Sequence, residues 1–410
     1  MINRRHVLAV GAAAAVAPSA ARAQGEGAFD AALTTAFDGV RPIALAGGVV
    51  TAQGLTWSGV RGVRRAGGDD PATTDDRWHL GSNTKAMTAA LFARLVEQGR
   101  ARWAMPLAEA FPDLTIDAGW DGATLDDFMT HTAGLKDEAV MGMAWLMTAR
   151  ADPQSLPAQR RAIVEKALAA PPTGARGTFA YGNANYVLVG AAIETVAGGS
   201  WEEAMQAEVF GPLGLTSAGF GAPAGSDNAW GHRRMGETAV PMDPVDPGSD
   251  NPLALGPAGT VHMTAADYAR FLQVFLTEGG GWLKPETVRR LVTPGEGRNY
   301  AYGSPSPWSI RRAAGPSSAC PTTAGAAARP VRPWLWKCCV SEPAIAASAL
   351  QERRFFGVCT GRNVVCSAMC SRRTPSLRVG AWSAGRQEAQ AARVAAKLTV
   401  KPVGLVSLYS

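Results

Sequence analysis

Apolar residues in the first three quarters of the chain follow the spacing of strands and of helices in turn. Residues 42–50 and 55–63 have apolar faces and flank the short polar segment 51–54, a pattern that predicts a two-stranded hairpin. Residues 86–98 have helical spacing, and Gly99 ends that pattern. The same spacing predicts further helices over residues 125–129, 160–168, 186–196, 201–210 and 264–275, and the Pro/Gly-rich residues 221–257 predict a long loop.

The composition changes abruptly at about residue 302. Up to that point the sequence has 25 Lys and Arg against 31 Asp and Glu, all five histidines and no cysteine. From Gly303 onward 15 basic residues face three acidic ones, and all six cysteines are present. Apolar residues in this second part follow no sustained period, and only residues 387–398 have helical spacing.

Two interpretations of residues 303–410 stay open. The segment is either a basic appendage that binds an acidic partner or a membrane surface, or the product of a shifted reading frame in a GC-rich gene. Its cysteine spacing fits no common zinc pattern, and its arginines lack regularly interleaved aromatic residues. We therefore expect neither a metal site nor a nucleic-acid partner.

The first 23 residues predict an export signal. Arg4 and Arg5 precede the apolar residues 7–17, and the small-residue cleavage pattern ends at Ala23. The paired arginines fit a twin-arginine route or an ordinary basic signal equally well. No later apolar run approaches the ~18 residues that a membrane helix needs. We expect a periplasmic or secreted protein without a membrane span.

Candidate chemistry begins at Ser82 and Lys85, which lie three residues apart at the start of the predicted helix 86–98. Residues at this spacing share one helix face, so the lysine amine can reach the serine hydroxyl. A serine becomes nucleophilic when a neighbouring base takes its proton, and lysine does so when its amine is neutral. The positive end of the helix would stabilise an oxyanion formed by attack on a carbonyl.

A second pair of polar residues, Tyr181 and Asn183, stands about a hundred residues further on, just before the predicted helix 186–196. A phenol oxygen near lysine can accept and return a proton, and an asparagine amide can hold a substrate carbonyl. These two residues complement the Ser82 and Lys85 pair in acyl transfer.

Together the motifs resemble those of the penicillin-recognising serine hydrolases, in the branch of class C β-lactamases, D-Ala-D-Ala carboxypeptidases and related esterases. The resemblance covers residues 30–302, which we predict to be the hydrolase domain. Its motifs, in order, are Gly81-Ser82-x-x-Lys85, His131-Thr132-Ala133-Gly134-Leu135, Tyr181-x-Asn183, Gly211-Pro212-Leu213-Gly214-Leu215, and Ala258-Gly259-Thr260 followed by Thr264-Ala265-Ala266-Asp267.

The resemblance implies an α+β fold, with an antiparallel sheet flanked by helices and a mostly helical inserted region. It also implies acyl-enzyme hydrolysis of an amide or ester in a small molecule or peptide, without metal or organic cofactor. Ser82 would be the nucleophile, Lys85 its base, Tyr181 the group that protonates the leaving group, and Asn183 the residue that orients the substrate. His131 would shape the wall of the cleft.

One motif of this family is missing. Its members have Lys-Ser/Thr-Gly or His-x-Gly on a sheet strand after the tyrosine motif, and neither occurs after Tyr181 here. The alternatives are therefore an impaired or inactive family member, or a binding protein for cell-wall peptides. Because the missing motif belongs to the strands after residue 302, we also expect an incomplete sheet in which the hairpin of residues 42–63 has an unpaired edge.

Overall fold

The computed structural model describes residues 17–236, 238–296, 298, 300–303, 334–335 and 356–360. Most of the predicted export signal and the predicted helix over residues 387–398 lie outside these ranges. The strands are β1 (Ala44–Thr51), β2 (Gly54–Gly62), β3 (Arg77–His79), β4 (Gly219–Phe220), β5 (His232–Met235), β6 (Thr238–Pro241), β7 (Val261–Thr264), β8 (Trp334–Leu335) and β9 (Phe356–Thr360). The helices are α1 (Ala17–Val40), α2 (Thr84–Glu97), α3 (Leu107–Ala110), α4 (Leu125–Met129), α5 (Asp137–Val140), α6 (Met143–Thr148), α7 (Leu156–Leu168), α8 (Asn183–Ala197), α9 (Trp201–Met205), α10 (Gly211–Leu213), α11 (Gly256–Gly259), α12 (Ala265–Leu276) and α13 (Pro285–Val292).

The predicted hairpin is confirmed as β1 and β2. The two strands pair antiparallel from Ala44 opposite Gly62 to Thr51 opposite Gly54, with a register shift between Val49 and Val50. Helix α1 covers this sheet, where Leu33 packs with Leu45, Val49 and Trp57. This burial explains why one face of each strand is apolar.

The prediction of an unpaired hairpin edge is wrong for β1, whereas β2 ends the described sheet. Strand β9 pairs antiparallel with β1 over residues 44–48, and β8 pairs with residues 49–50. Strand pairing joins backbone groups of any sequence, so the irregular apolar pattern after residue 302 did not reveal it. The sheet is small, and its strands do not close on themselves.

The helical region surrounds α8, whose residues 184–194 are all buried. Helices α2, α4, α7 and α11 pack against it, and together they form the largest apolar core. The predicted loop over residues 221–257 is only partly correct, because it contains the hairpin of β5 and β6. The hairpin is largely exposed and lies in a Pro/Gly-rich stretch, so the spacing of apolar residues did not predict its strands. Within the described residues, no helix combines the length and apolar character needed to span a bilayer.

Candidate active site

Ser82 lies at the junction between β3 and α2. A 3-10 turn over Gly81–Asn83 connects the two elements, and Gly81 adopts a left-handed conformation with φ of 50°. The turn is held against β7, because the Leu80 amide donates to the carbonyl of Val261 at 2.8 Å. Ser82 therefore sits at the amino end of α2, where unpaired N–H groups favour negative charge.

Lys85 is fully buried beneath Ser82 and bonds to three oxygen atoms. Its Nζ donates to Ser82 Oγ at 3.1 Å, to Asn183 Oδ1 at 2.8 Å and to the carbonyl oxygen of Ala258 at 2.7 Å. The proximity expected from the three-residue spacing is confirmed. The bonds to Asn183 and Ala258, from α8 and α11, hold the amine in place against the serine.

Tyr181 approaches Ser82 from a distant part of the sequence. Its hydroxyl donates to Ser82 Oγ at 2.7 Å, and its ring centroid lies 4.9 Å from Lys85 Nζ. The phenol is exposed, and Ser82 is partly exposed. The structure thus brings together all four residues that the sequence pointed to, with Ser82 between Lys85 and Tyr181. Ser82 Oγ thus accepts from an amine and from a phenol, and each of these groups can take the serine proton once it has lost its own.

Asp137 is a site residue that the sequence reasoning missed. Its carboxylate accepts from the Asn183 amide N–H at 2.9 Å, from Asn183 Nδ2 at 3.3 Å and from the Ala184 N–H at 2.7 Å. The Nδ2 bond orients the asparagine side chain so that Oδ1 faces Lys85. Asp137 follows the Leu135 motif by two residues, but that position alone gives no signal of a contact with residue 183.

His131 forms part of the wall behind Tyr181. Its buried ring lies 4.5 Å from the Tyr181 ring and 4.9 Å from the Tyr300 ring, measured between centroids. Burial, assisted by the charge of Lys85, holds the pKa of His131 well below its ordinary value of 6.5. The imidazole is therefore neutral at physiological pH.

A partly buried pair, His79 and Asp250, lies next to the turn that carries Ser82. His79 Nδ1 accepts from the Gly81 amide at 3.1 Å, and His79 Nε2 lies 3.1 Å from Asp250 Oδ2. Burial lowers the pKa of His79, but the charge and hydrogen bond of Asp250 raise it more, so the net shift is upward from 6.5. The sequence offered no signal for this pair because 171 positions separate its members.

A metal ion has no evident site in the described part of the chain, where no three His, Cys, Asp or Glu side chains are grouped to hold one. The hydrogen-bonded centre instead consists of a hydroxyl, an amine, a phenol and an amide. That set of groups suits nucleophilic attack and proton transfer.

Two curated proteins are similar to part of this chain. "Penicillin-binding protein 4" of Amycolatopsis lactamdurans is 28% identical over 232 residues, which are 56% of this chain and 58% of the relative. "Lovastatin esterase" of Penicillium rubens is 25% identical over 255 residues, which are 55% of this chain and 61% of the relative. The chain therefore spans little more than half the length of these curated relatives.

A solved structure shows the fold. The penicillin-binding protein from Bacillus halodurans superposes with a TM-score of 0.53 at 21% identity, over 66% of this chain and 81% of that one. It supports a β-lactamase/transpeptidase-like arrangement of helices and antiparallel sheet. The sequence model of the Beta-lactamase family matches residues 21–330. The chain belongs to the Beta-lactamase family of the penicillin-recognising serine hydrolases.

Proposed function

We propose that this chain is an exported serine hydrolase that cleaves an amide or ester through an acyl-enzyme. The observation that carries the proposal is the position of Ser82 Oγ, 3.1 Å from Lys85 Nζ and 2.7 Å from the Tyr181 hydroxyl. A surface serine with a solvated lysine would not have a fully buried amine bonded to three oxygen atoms.

The reacting form of Lys85 is the neutral amine, whose lone pair faces the Ser82 hydroxyl. In the first step Ser82 Oγ attacks the substrate carbonyl carbon, and its proton passes to this amine, directly or with Tyr181. The bond from carbon to the leaving nitrogen or oxygen then breaks, and Tyr181 protonates the departing atom. In the second step water attacks the ester carbonyl, Tyr181 takes a proton from this water, and Ser82 regains its proton as the acid product leaves. No atom beyond substrate and water is consumed.

Two further groups would act on the substrate carbonyl region. The Ser82 backbone N–H, at the amino end of α2, would bind the oxyanion of the tetrahedral intermediate. Asn183 would orient the substrate through its amide. The side chain of Asn183 also accepts from Lys85 through Oδ1 and donates to Asp137 through Nδ2. The same amide would therefore link the position of the base to that of the substrate.

The proposed substrate is a β-lactam, a D-amino-acid peptide or an ester. A competing proposal is a catalytically impaired member or a cell-wall peptide binder, because the chain lacks Lys-Ser/Thr-Gly and His-x-Gly after Tyr181. The polar centre around Ser82 favours the hydrolase, since a binder has no need for a buried amine against a hydroxyl.

Covalent labelling separates these proposals. We expect a fluorescent penicillin or a fluorophosphonate to label the folded protein, and Ser82→Ala to abolish labelling. Ser226→Ala, a change at an exposed serine, is the matched control and should leave labelling intact. Folded protein that takes up neither probe would exclude the hydrolase.

A further inference from the structure

Helix α6 has an unusual surface for an exposed element. Its sequence is Met-Ala-Trp-Leu-Met-Thr, and none of these residues is buried. Met143 is 56% exposed and Met147 is 78% exposed. The helix has no charged side chain, and the hydroxyl of Thr148 donates to the carbonyl of Ala144 within the helix. A group of exposed apolar side chains of this kind indicates a binding surface.

Both ends of the segment that contains α6 are bonded to the surroundings of Ser82. Before the helix, Asp137 binds the backbone of α8 at Asn183 and Ala184. After it, Arg150 donates to the carbonyl of Asp250 at 3.0 and 2.7 Å. Asp250 in turn contacts His79, the partner of the Gly81 amide. The segment thus begins beside Asn183 and ends beside the residues that support the serine turn, and α6 lies between these two anchors.

A second exposed apolar side chain, Phe179, lies near Tyr181. Phe179 is 49% exposed although its ring packs 5.5 Å from Tyr300 and 6.0 Å from His131, measured between centroids. His131 and Tyr300 also contact Tyr181, whose hydroxyl bonds to Ser82. Phe179 thus offers an exposed aromatic side chain two residues before Tyr181, and aromatic faces favour apolar or aromatic partners.

We infer that the substrate is an ester or amide with a large apolar group next to the scissile carbonyl, and that Met143, Met147 and Phe179 bind that group. This inference rests on the proposed hydrolase function. The occupant follows from continuity with the site, because the two apolar surfaces lie on segments bonded to residues that contact Ser82 or support its turn. Burial of apolar surface there would favour long or aromatic groups over short ones.

The test compares two esters with the same leaving group, p-nitrophenyl acetate and p-nitrophenyl hexanoate. In the double variant Met143→Ser with Met147→Ser we expect kcat/KM for the hexanoate to fall about tenfold, because apolar contact is lost. The acetate should change less than twofold. Phe179→Ala should lower the hexanoate rate in the same direction, and Phe179→Leu should restore much of it. Met235→Ser is the matched control, since Met235 is 64% exposed on β5.

The outcomes distinguish this inference from the function on which it rests. If no ester is turned over in a Ser82-dependent way, the proposed hydrolase fails, and the inference with it. If turnover depends on Ser82 but the double variant affects both esters equally, or neither, the inference alone is overturned. Light scattering tests the alternative occupant of this surface, a second copy of the chain. A dimer that the double variant converts to a monomer would assign this surface to a second copy of the chain and overturn the inference.

Discussion

The position of a single carboxylate, Asp137, controls the orientation of Asn183. Without it, Asn183 Nδ2 would lose the bond to this carboxylate, and fewer contacts would hold the side chain with Oδ1 toward Lys85. The carboxylate also satisfies two N–H groups at the start of α8, which otherwise have no partner within the helix. Asp137 is thus a positioning residue that acts through Asn183.

Replacing Asp137 tests this role. We expect Asp137→Ala to slow fluorophosphonate labelling of Ser82 by roughly ten- to a hundredfold, since small displacements of reacting groups are costly. Asp137→Asn keeps one oxygen acceptor and should recover part of the rate. Glu138→Ala, an exposed neighbour, is the control. Equal loss in the Asn and Ala variants, with unchanged stability, would argue against orientation by the carboxylate oxygen.

His131 makes a separate prediction about pH. The folded protein keeps His131 neutral, because burial lowers its pKa, whereas the unfolded chain binds a proton below about pH 6.5. This contribution to stability is therefore present above pH 6.5 and is lost as the pH falls toward the folded pKa. We expect His131→Asn to flatten the acid side of the stability curve by up to about 1.4 kcal/mol per pH unit.

Asparagine suits this substitution because His131 has φ of 57°, a conformation that asparagine tolerates. Urea unfolding from pH 5 to pH 8 measures the effect. The curves of the two proteins should run parallel above pH 7, which serves as an internal control. Parallel curves over the whole range would show that folding does not lower the pKa of His131.

At the scale of elements, local pattern predicted where helices occur better than where they begin. Residues 86–98 and 186–196 were predicted as helices, and both lie largely within α2 and α8. Helix α8 nevertheless begins three residues earlier, at Asn183, because Asp137 caps it from 46 positions away. The predicted start of helix α12 is confirmed, since Thr264 Oγ accepts from the Asp267 amide within the same turn.

Gly303, where the composition changes, packs against the backbone of α2 at Lys85. It has φ of +71°, and a Cβ there would lie 2.5 Å from the carbonyl carbon and oxygen of Lys85. We expect Gly303→Ala to destabilise the protein and to slow labelling of Ser82, because the added methyl group displaces the backbone of the base.

The chain provides a matched control at Gly99. This glycine has φ of +72° and no atom within 4 Å of an added Cβ, so Gly99→Ala meets only the backbone cost of about 1–2 kcal/mol. The difference between the two variants in urea unfolding measures the contact with Lys85. Equal losses of stability, with normal labelling in both, would show that this contact is unimportant.

At the scale of the whole molecule, one buried cation connects three helices. Arg160 of α7 bonds to Glu194 of α8, to Glu202 of α9 and to the carbonyl of Ala254. Burial raises the pKa of Glu194, although the charge of Arg160 opposes that rise. Removing the cation would leave the carboxylates of Glu194 and Glu202 without their positive partner, with only the Trp201 amide still donating to Glu194. That loss costs more than the ion pairs themselves contribute.

We expect Arg160→Met to lower the free energy of unfolding by about 3–5 kcal/mol. Arg161→Met is the control, because Arg161 pairs with the exposed side chains of Asp113 and Glu165 and its loss should matter much less. Urea denaturation of both variants measures the difference. Similar midpoints for the two proteins would contradict the structural role of the buried cluster.

Sequence alone predicted Ser82, Lys85, Tyr181 and Asn183 and most of the two helices, α2 and α8, that lie beside them. Ser82 with Lys85 followed from local helix geometry, and the hairpin of β1 and β2 followed from alternating apolar residues, because both depend on near neighbours. The tertiary structure decided which distant groups meet. It placed Tyr181 on Ser82, Asp137 on Asn183 and β9 beside β1, since such contacts join segments whose spacing in the chain carries no periodic signal.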